Sequence, residues 1–97
     1  MAMQSNSEIA MRVRVIGRVQ GVGFRAWTQD RAQALSVRGW VRNNDDGTVA
    51  ALLIGAEDAV KALLAEMEHG PRGASVREVA AQPEAIFEPQ AGFQIAR

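Results

Sequence analysis

Met11-Arg12-Val13-Arg14-Val15-Ile16-Gly17-Arg18-Val19-Gln20-Gly21-Val22-Gly23-Phe24-Arg25 holds a strand, a loop and the start of a helix in one run. Met11, Val13 and Val15 alternate with Arg12 and Arg14, which is the period of a strand with one buried and one wet face. The strand reads from Met11 to Val19. A helix begins near Phe24 and runs to Leu35, with Phe24, Thr28, Ala32 and Leu35 on one face and Arg31 close to that stripe. The connection carries Gly21 and Gly23, which let the backbone curl so that several N–H groups point inward. A helix N-terminus adds unpaired N–H groups and the positive end of a dipole. Arg25, just inside the helix, adds a planar fork able to grip two phosphate oxygens.

Outward from this run, Val37, Gly39 and Val41 alternate with Arg38, Trp40 and Arg42 to give a second strand. Asn43-Asn44-Asp45-Asp46-Gly47 is a dense turn signal, and a third strand follows from Thr48 to Ile54, closing a hairpin. Gly55 reads as its end. Glu57 and Asp58 open a second helix with the charge sign its N-terminus prefers. Val60, Leu63, Leu64 and Met67 repeat at helical spacing, and Gly70-Pro71 stops the helix, with His69 in its last turn. A fourth strand covers Ala74 to Ala81, with Val76 among its buried positions. Pro83 to Gln90 reads as loop, and Gly92 to Arg97 as a short final edge strand.

The order is βαββαβ plus a short C-terminal edge strand. It predicts an α+β, ferredoxin-like sandwich: an antiparallel sheet with two helices on one face. A β-α-β crossover leaves its strands parallel, so their C-terminal ends share one edge of the sheet. The first of those ends is the glycine loop and the second is Asn43. By alternation Asn43 shares a face with Val37 and Val41. If that face is the one the helices cover, the Asn43 amide projects beside the loop and Arg25.

A phosphate in that cradle meets the backbone N–H groups of Gln20, Gly21, Val22, Gly23 and Phe24, and the Arg25 guanidinium. Asn43 offers an acceptor and a donor and can hold a water for attack on phosphorus. No cysteine, histidine or strong base stands there to expel a poor leaving group. A phosphoric–carboxylic anhydride needs none, because its carboxylate is already stable; phosphoryl transfer rests largely on positioning and electrostatics. Taken singly, Arg25 also reads as a solvated helix arginine, Asn43 as a turn residue making an Asx hydrogen bond, and the glycines as an ordinary strand–helix connection. Trp27 and Trp40 read as packing residues, and Arg18 as a solvated edge.

Composition narrows the classes. The chain has 97 residues, 47% of them hydrophobic, which suits one globular domain with a modest core. It has no cysteine and a single histidine, which leaves no thiolate or multi-histidine metal site. No apolar run approaches the roughly 18–20 residues of a membrane span. Residues 1–8 are polar and read as a flexible leader to a domain over 9–97, without the basic start and apolar core of a signal peptide, which suggests a cytoplasmic protein. Net charge is +0, which argues against a dedicated nucleic-acid binder. The cations are skewed to arginine, with Lys61 the one lysine.

Gly17 to Arg25, followed by Gly39-Trp40-Val41-Arg42-Asn43 and Asp46-Gly47-Thr48-Val49, resembles the acylphosphatase signature, and the spacing from Arg25 to Asn43 matches. So do Gly70-Pro71 with Ala74 and Val76, and Phe93 with Ile95. The resemblance spans 9–97 and implies a metal-free, cofactor-free hydrolase that converts a small acyl phosphate into a carboxylate and inorganic phosphate. It implies that Arg25 binds the phosphoryl group, that Asn43 orients the attacking water and that the loop before Arg25 is the phosphate-binding backbone. Asn44 departs from the threonine of many relatives but stays polar. Similar domains occur in larger hydrogenase-maturation proteins; a single domain favours the free-standing enzyme, acting as a monomer. Two other readings are a module that binds phosphate-bearing ligands or RNA without chemistry, and an assembly domain acting through an open sheet edge.

Overall fold

A computed structural model of the chain describes residues 7–85 and 91–96. Its elements are β1 (Glu8–Arg18), α1 (Phe24–Ala34), β2 (Arg38–Asn43), β3 (Val49–Ala56), α2 (Glu57–Met67), β4 (Ser75–Pro83) and β5 (Phe93–Ile95). The strands form one sheet in the order β4-β1-β3-β2-β5. The four longer strands pair antiparallel, as expected, and β5 joins β2 in parallel. The antiparallel expectation therefore fails at this one edge. Parallel pairing requires a connection of about a dozen residues or more, and the chain between β2 and β5 exceeds that easily.

The alternation in β1 does what its pattern demands. Val13 and Val15 are buried, while Arg12 and Arg14 are exposed on the open face. Both helices cover the first of these faces. Phe24, Thr28 and Ala32 of α1 and Val60, Leu63 and Met67 of α2 pack with Val13, Val15, Val41, Val49 and Leu53 into the core. Thr28 is buried without penalty because its hydroxyl donates to the Phe24 carbonyl at 2.8 Å. Arg31, which stood awkwardly near the apolar stripe of α1, reaches across to α2. Its Nε and Nη2 donate to the two oxygens of Glu66 at 2.6 and 3.2 Å.

Element boundaries shift in physically readable ways. β1 begins at Glu8, inside the stretch read as leader, because Glu8 pairs with Ala56 in the ladder and its carboxylate takes 2.7 and 3.0 Å bonds from Arg38. Residues 1–6 lie outside the described residues. β3 runs through Gly55 to Ala56, since Ile9 and Glu8 still offer partners there. β4 is an edge, so Val76 is half-buried rather than buried, and Pro83 is tolerated as its last residue instead of starting a loop. Most of the loop read over Pro83 to Gln90, namely 86–90, falls outside the described residues. α2 ends at Met67, which leaves His69 in the turn beyond the helix.

Register sets the geometry that matters. Asn43 pairs with Val49, and Val49 with Val15, so the three lie in one row on the helix-covered face. β1 and β2 both run antiparallel to the intervening β3 and are therefore parallel to each other. Their C-terminal ends open toward the start of α1.

Candidate active site

The N-terminus of α1 is left open by its sequence. Gly23 is the N-cap with φ 79° and ψ 20°, and it has no side chain to cap the helix. Gly21 is also left-handed, with φ 76°. These are conformations that L side chains adopt at a cost, and here they turn the chain sharply from β1 into α1. The first helical bond runs from the Trp27 N–H to the Gly23 carbonyl at 3.0 Å. The N–H groups of Phe24, Arg25 and Ala26 therefore have no intrahelical acceptor. Among the described residues, Gln20 to Gly23 donate no backbone turn bond either. The first turn of α1 has no acidic residue, whereas that of α2 carries Glu57 and Asp58. One helix thus neutralises its positive end with its own carboxylates, and the other presents it to solvent.

Beside this end lies a cavity of ≈ 500 Å³ lined by Val19, Gly21, Gly23, Phe24, Arg25, Ala26, Asn43 and Ile95. Phe24 is buried and anchors the loop to the core, with its ring 5.5 Å from that of Trp27. Arg25 and Asn43 are half-buried, and neither side chain has a hydrogen-bond or ion-pair partner among the described residues. Among the described residues, no carboxylate lines the cavity. A fork and an amide with nothing to bind, beside a row of unanswered N–H groups, make a site that favours an anion and a polar neighbour.

The turn chemistry that composition also suggests for Asn43 is carried by its neighbours. Asn44 Nδ2 donates to Thr48 Oγ1 at 2.9 Å. The Thr48 N–H and hydroxyl both donate to Asp46 Oδ1, at 3.0 and 2.6 Å. These Thr48 bonds, with a further contribution from Arg14, hold the Asp46 carboxyl below its usual range. Alternation explains the division: Asn43 is the last strand residue and faces the helices, while Asn44 has entered the turn.

Of the loop residues expected to supply backbone donors, Gly21, Gly23 and Phe24 line the cavity. Val22 instead packs its side chain against the core. The Gln20 side chain turns away from the cavity to the β2–β3 hairpin. Sequence reasoning missed Val19, Ala26 and Ile95 as wall residues. Ile95 is 39% exposed, and β5 is held at the site by Gln29, whose Nε2 donates to the Phe93 carbonyl at 2.9 Å. A larger cleft of ≈ 780 Å³ opens on a different stretch of surface, with Arg14, Arg18, Asp46 and Arg77 among its walls. Its Asp46 carboxylate is already engaged by Arg14 and Thr48, and none of the described residues in its walls belongs to a helix N-terminus.

Fold and site together define a class: a small ferredoxin-like α+β domain with an anion cradle where its first strand meets its first helix. The family model for Acylphosphatase matches residues 11–95. An acylphosphatase of Rhizobium etli is 55% identical over 75 residues, covering 77% of this chain and 80% of that protein. One of Rhizobium meliloti is 49% identical over 88 residues, covering 91% and 93%. The crystal structure of acylphosphatase from Bacillus subtilis superposes with a TM-score of 0.88 at 34% identity, covering 92% of this chain and 99% of that one. The chain belongs to the acylphosphatase family.

Proposed function

We propose that the chain hydrolyses small-molecule acyl phosphates, with the cradle and Arg25 holding the phosphoryl group and Asn43 orienting the attacking water. The N–H groups from Gln20 to Phe24 and the open end of α1 surround the phosphoryl oxygens, and the Arg25 fork takes two of them. The Asn43 carbonyl accepts a hydrogen bond from a water and fixes its oxygen in line with the bond to be broken. That oxygen bonds to phosphorus as the bond from phosphorus to the acyl oxygen breaks. The electron pair leaves on the carboxylate, and the water's proton passes to the departing inorganic phosphate. Carboxylic acids ionise near pH 4, so the leaving group requires no general acid. The enzyme acts as a cytoplasmic monomer.

The observation that carries this reading is that Arg25 and Asn43, 18 residues apart in sequence, present polar ends without a partner among the described residues to one cavity at an uncapped helix N-terminus. The test is hydrolysis of benzoyl phosphate by purified protein in the presence of EDTA. Turnover is expected, with Arg25→Ala and Asn43→Ala each lowering it by about 10²–10³, the effect of removing a transition-state donor. Full activity in both variants would sink the mechanism.

A further inference from the structure

Gln20 lies in the loop, but its side chain serves another element. Its Nε2 donates to the carbonyl of Asn44 at 2.8 Å and to that of Thr48 at 2.9 Å. Those two carbonyls also accept the hairpin's own bonds. The Gly47 N–H donates to Asn44 at 3.3 Å, and the Asn44 N–H to Thr48 at 2.9 Å. One amide therefore uses both its hydrogens on the two carbonyls that close the β2–β3 turn. Its orientation follows from the acceptors: rotating the amide would set its oxygen against two carbonyl oxygens. The bond to Asn44 joins positions 24 apart in sequence.

Both ends of this tie adjoin the site. Gln20 precedes Gly21 in the cavity wall, and Asn44 follows Asn43. Among the described residues no other hydrogen bond joins loop and hairpin, which are otherwise related through β1, β3 and the sheet between them. The relative placement of cradle and Asn43 is what in-line attack depends on, because the cradle fixes phosphorus and Asn43 fixes the water. We infer that Gln20 has a positioning side chain: its side-chain amide sets the position of Asn43 relative to the phosphate cradle without itself touching substrate. This rests on the mechanism proposed above.

The experiment measures kcat for benzoyl phosphate and the inhibition constant of inorganic phosphate in wild type, Gln20→Ala and Gln20→Met, each also in an Asn43→Ala background. Methionine keeps the length and packing of glutamine without its donors. A displacement of about 1 Å at a reacting group can cost about 10²-fold, so kcat is expected to fall by roughly 10–100-fold. Phosphate, which contacts the cradle and Arg25, is expected to bind within about threefold of wild type, since a loss confined to the transition state leaves ground-state binding intact. In the Asn43→Ala background the same changes are expected to alter kcat by less than about threefold, because the group that Gln20 positions is gone. Unchanged kcat in Gln20→Met overturns the inference. So does an equal fall in the Asn43→Ala background, a loss of phosphate affinity in step with kcat, or failure of both variants to fold. Wild-type turnover that does not depend on Asn43 overturns the underlying mechanism instead, so the two failures are distinguishable.

Discussion

Asn43 and Asn44 are adjacent and chemically identical, but Asn43 lines the cavity while Asn44 is bonded into the turn, so truncating each should separate activity from stability. Asn43→Ala removes an amide that has no partner among the described residues. Nothing buried is left unsatisfied, so the folding free energy should move by no more than about 0.5 kcal/mol, the range of an unengaged surface change. Its effect on the reaction should be large: about 10²–10³ in kcat, or roughly 2.7–4 kcal/mol, if the amide fixes the attacking water. Asn44→Ala removes the 2.9 Å bond to Thr48 Oγ1 inside the turn. A net hydrogen bond is worth about 1 kcal/mol, so this variant should lose about that much stability. Its activity should fall less than about tenfold, because the backbone bond from the Asn44 N–H to the Thr48 carbonyl and the Gln20 tie remain to hold the turn.

Urea denaturation followed by the tryptophan signal gives the stabilities, and steady-state hydrolysis of benzoyl phosphate gives the rates. The expected pattern is a double dissociation. Asn43→Ala should be stable and nearly inactive, and Asn44→Ala weakened but active. If Asn43→Ala instead loses more than about 1 kcal/mol, its amide has a structural partner and the reading of a side chain held ready for water is wrong. If Asn44→Ala is as inactive as Asn43→Ala, Asn44 is a residue that the reaction itself requires.

Arg25→Lys should be almost as poor as Arg25→Ala in kcat/KM, because an ammonium cannot take two phosphoryl oxygens in one plane; near wild-type activity would refute bidentate binding. Gly21→Ala and Gly23→Ala should each cost about 1–2 kcal/mol in urea titrations through backbone strain alone. An added Cβ meets nothing within 4 Å at either position, so a far larger loss would mean that the loop is packed differently. Acid should destabilise the fold, since Glu8 and Glu66 are held below the ordinary glutamate value of 4.5 by their hydrogen bonds from Arg38 and Arg31. A carboxyl depressed in the folded state adds stability that is complete above its unfolded value and is lost as pH falls through the folded one. The urea midpoint should therefore hold from neutral pH to about 5 and drop below about 4, with a shallower drop in Glu66→Gln; a midpoint that rises on acidification contradicts the sign.

What could be read without coordinates was whatever a repeating pattern encodes. Period two in Met11 to Val15 named the buried face, and the helical spacing of Val60, Leu63 and Met67 named the face of α2 that covers it. Because β1 and β2 are joined by one helix, their directions followed, and with them the meeting of Arg25 and Asn43 at one end of the sheet. Single contacts outside a period were not legible. The direction of the Gln20 side chain depends on a curled loop in which successive residues share no repeating geometry, so its bonds to Asn44 and Thr48 had no signal. β5 spans only Phe93–Ile95, too few residues for alternation to state a register or a direction. Its parallel pairing with β2 brings Ile95 opposite Val41, two residues before Asn43, and so puts an apolar wall on a cavity otherwise read from its polar groups. The division between Asn43 and Asn44 lies between these cases. Turn composition alone assigns both to the hairpin, whereas counting alternate residues back to Val41 puts Asn43 on the helix face. The choice depends on where β2 ends, and β2 extends to Asn43 because its ladder with β3 still has Val49 to pair with there. The meeting of Asn43 with the cavity thus hangs on one strand continuing for one residue more, which its pairing with Val49 on β3 provides.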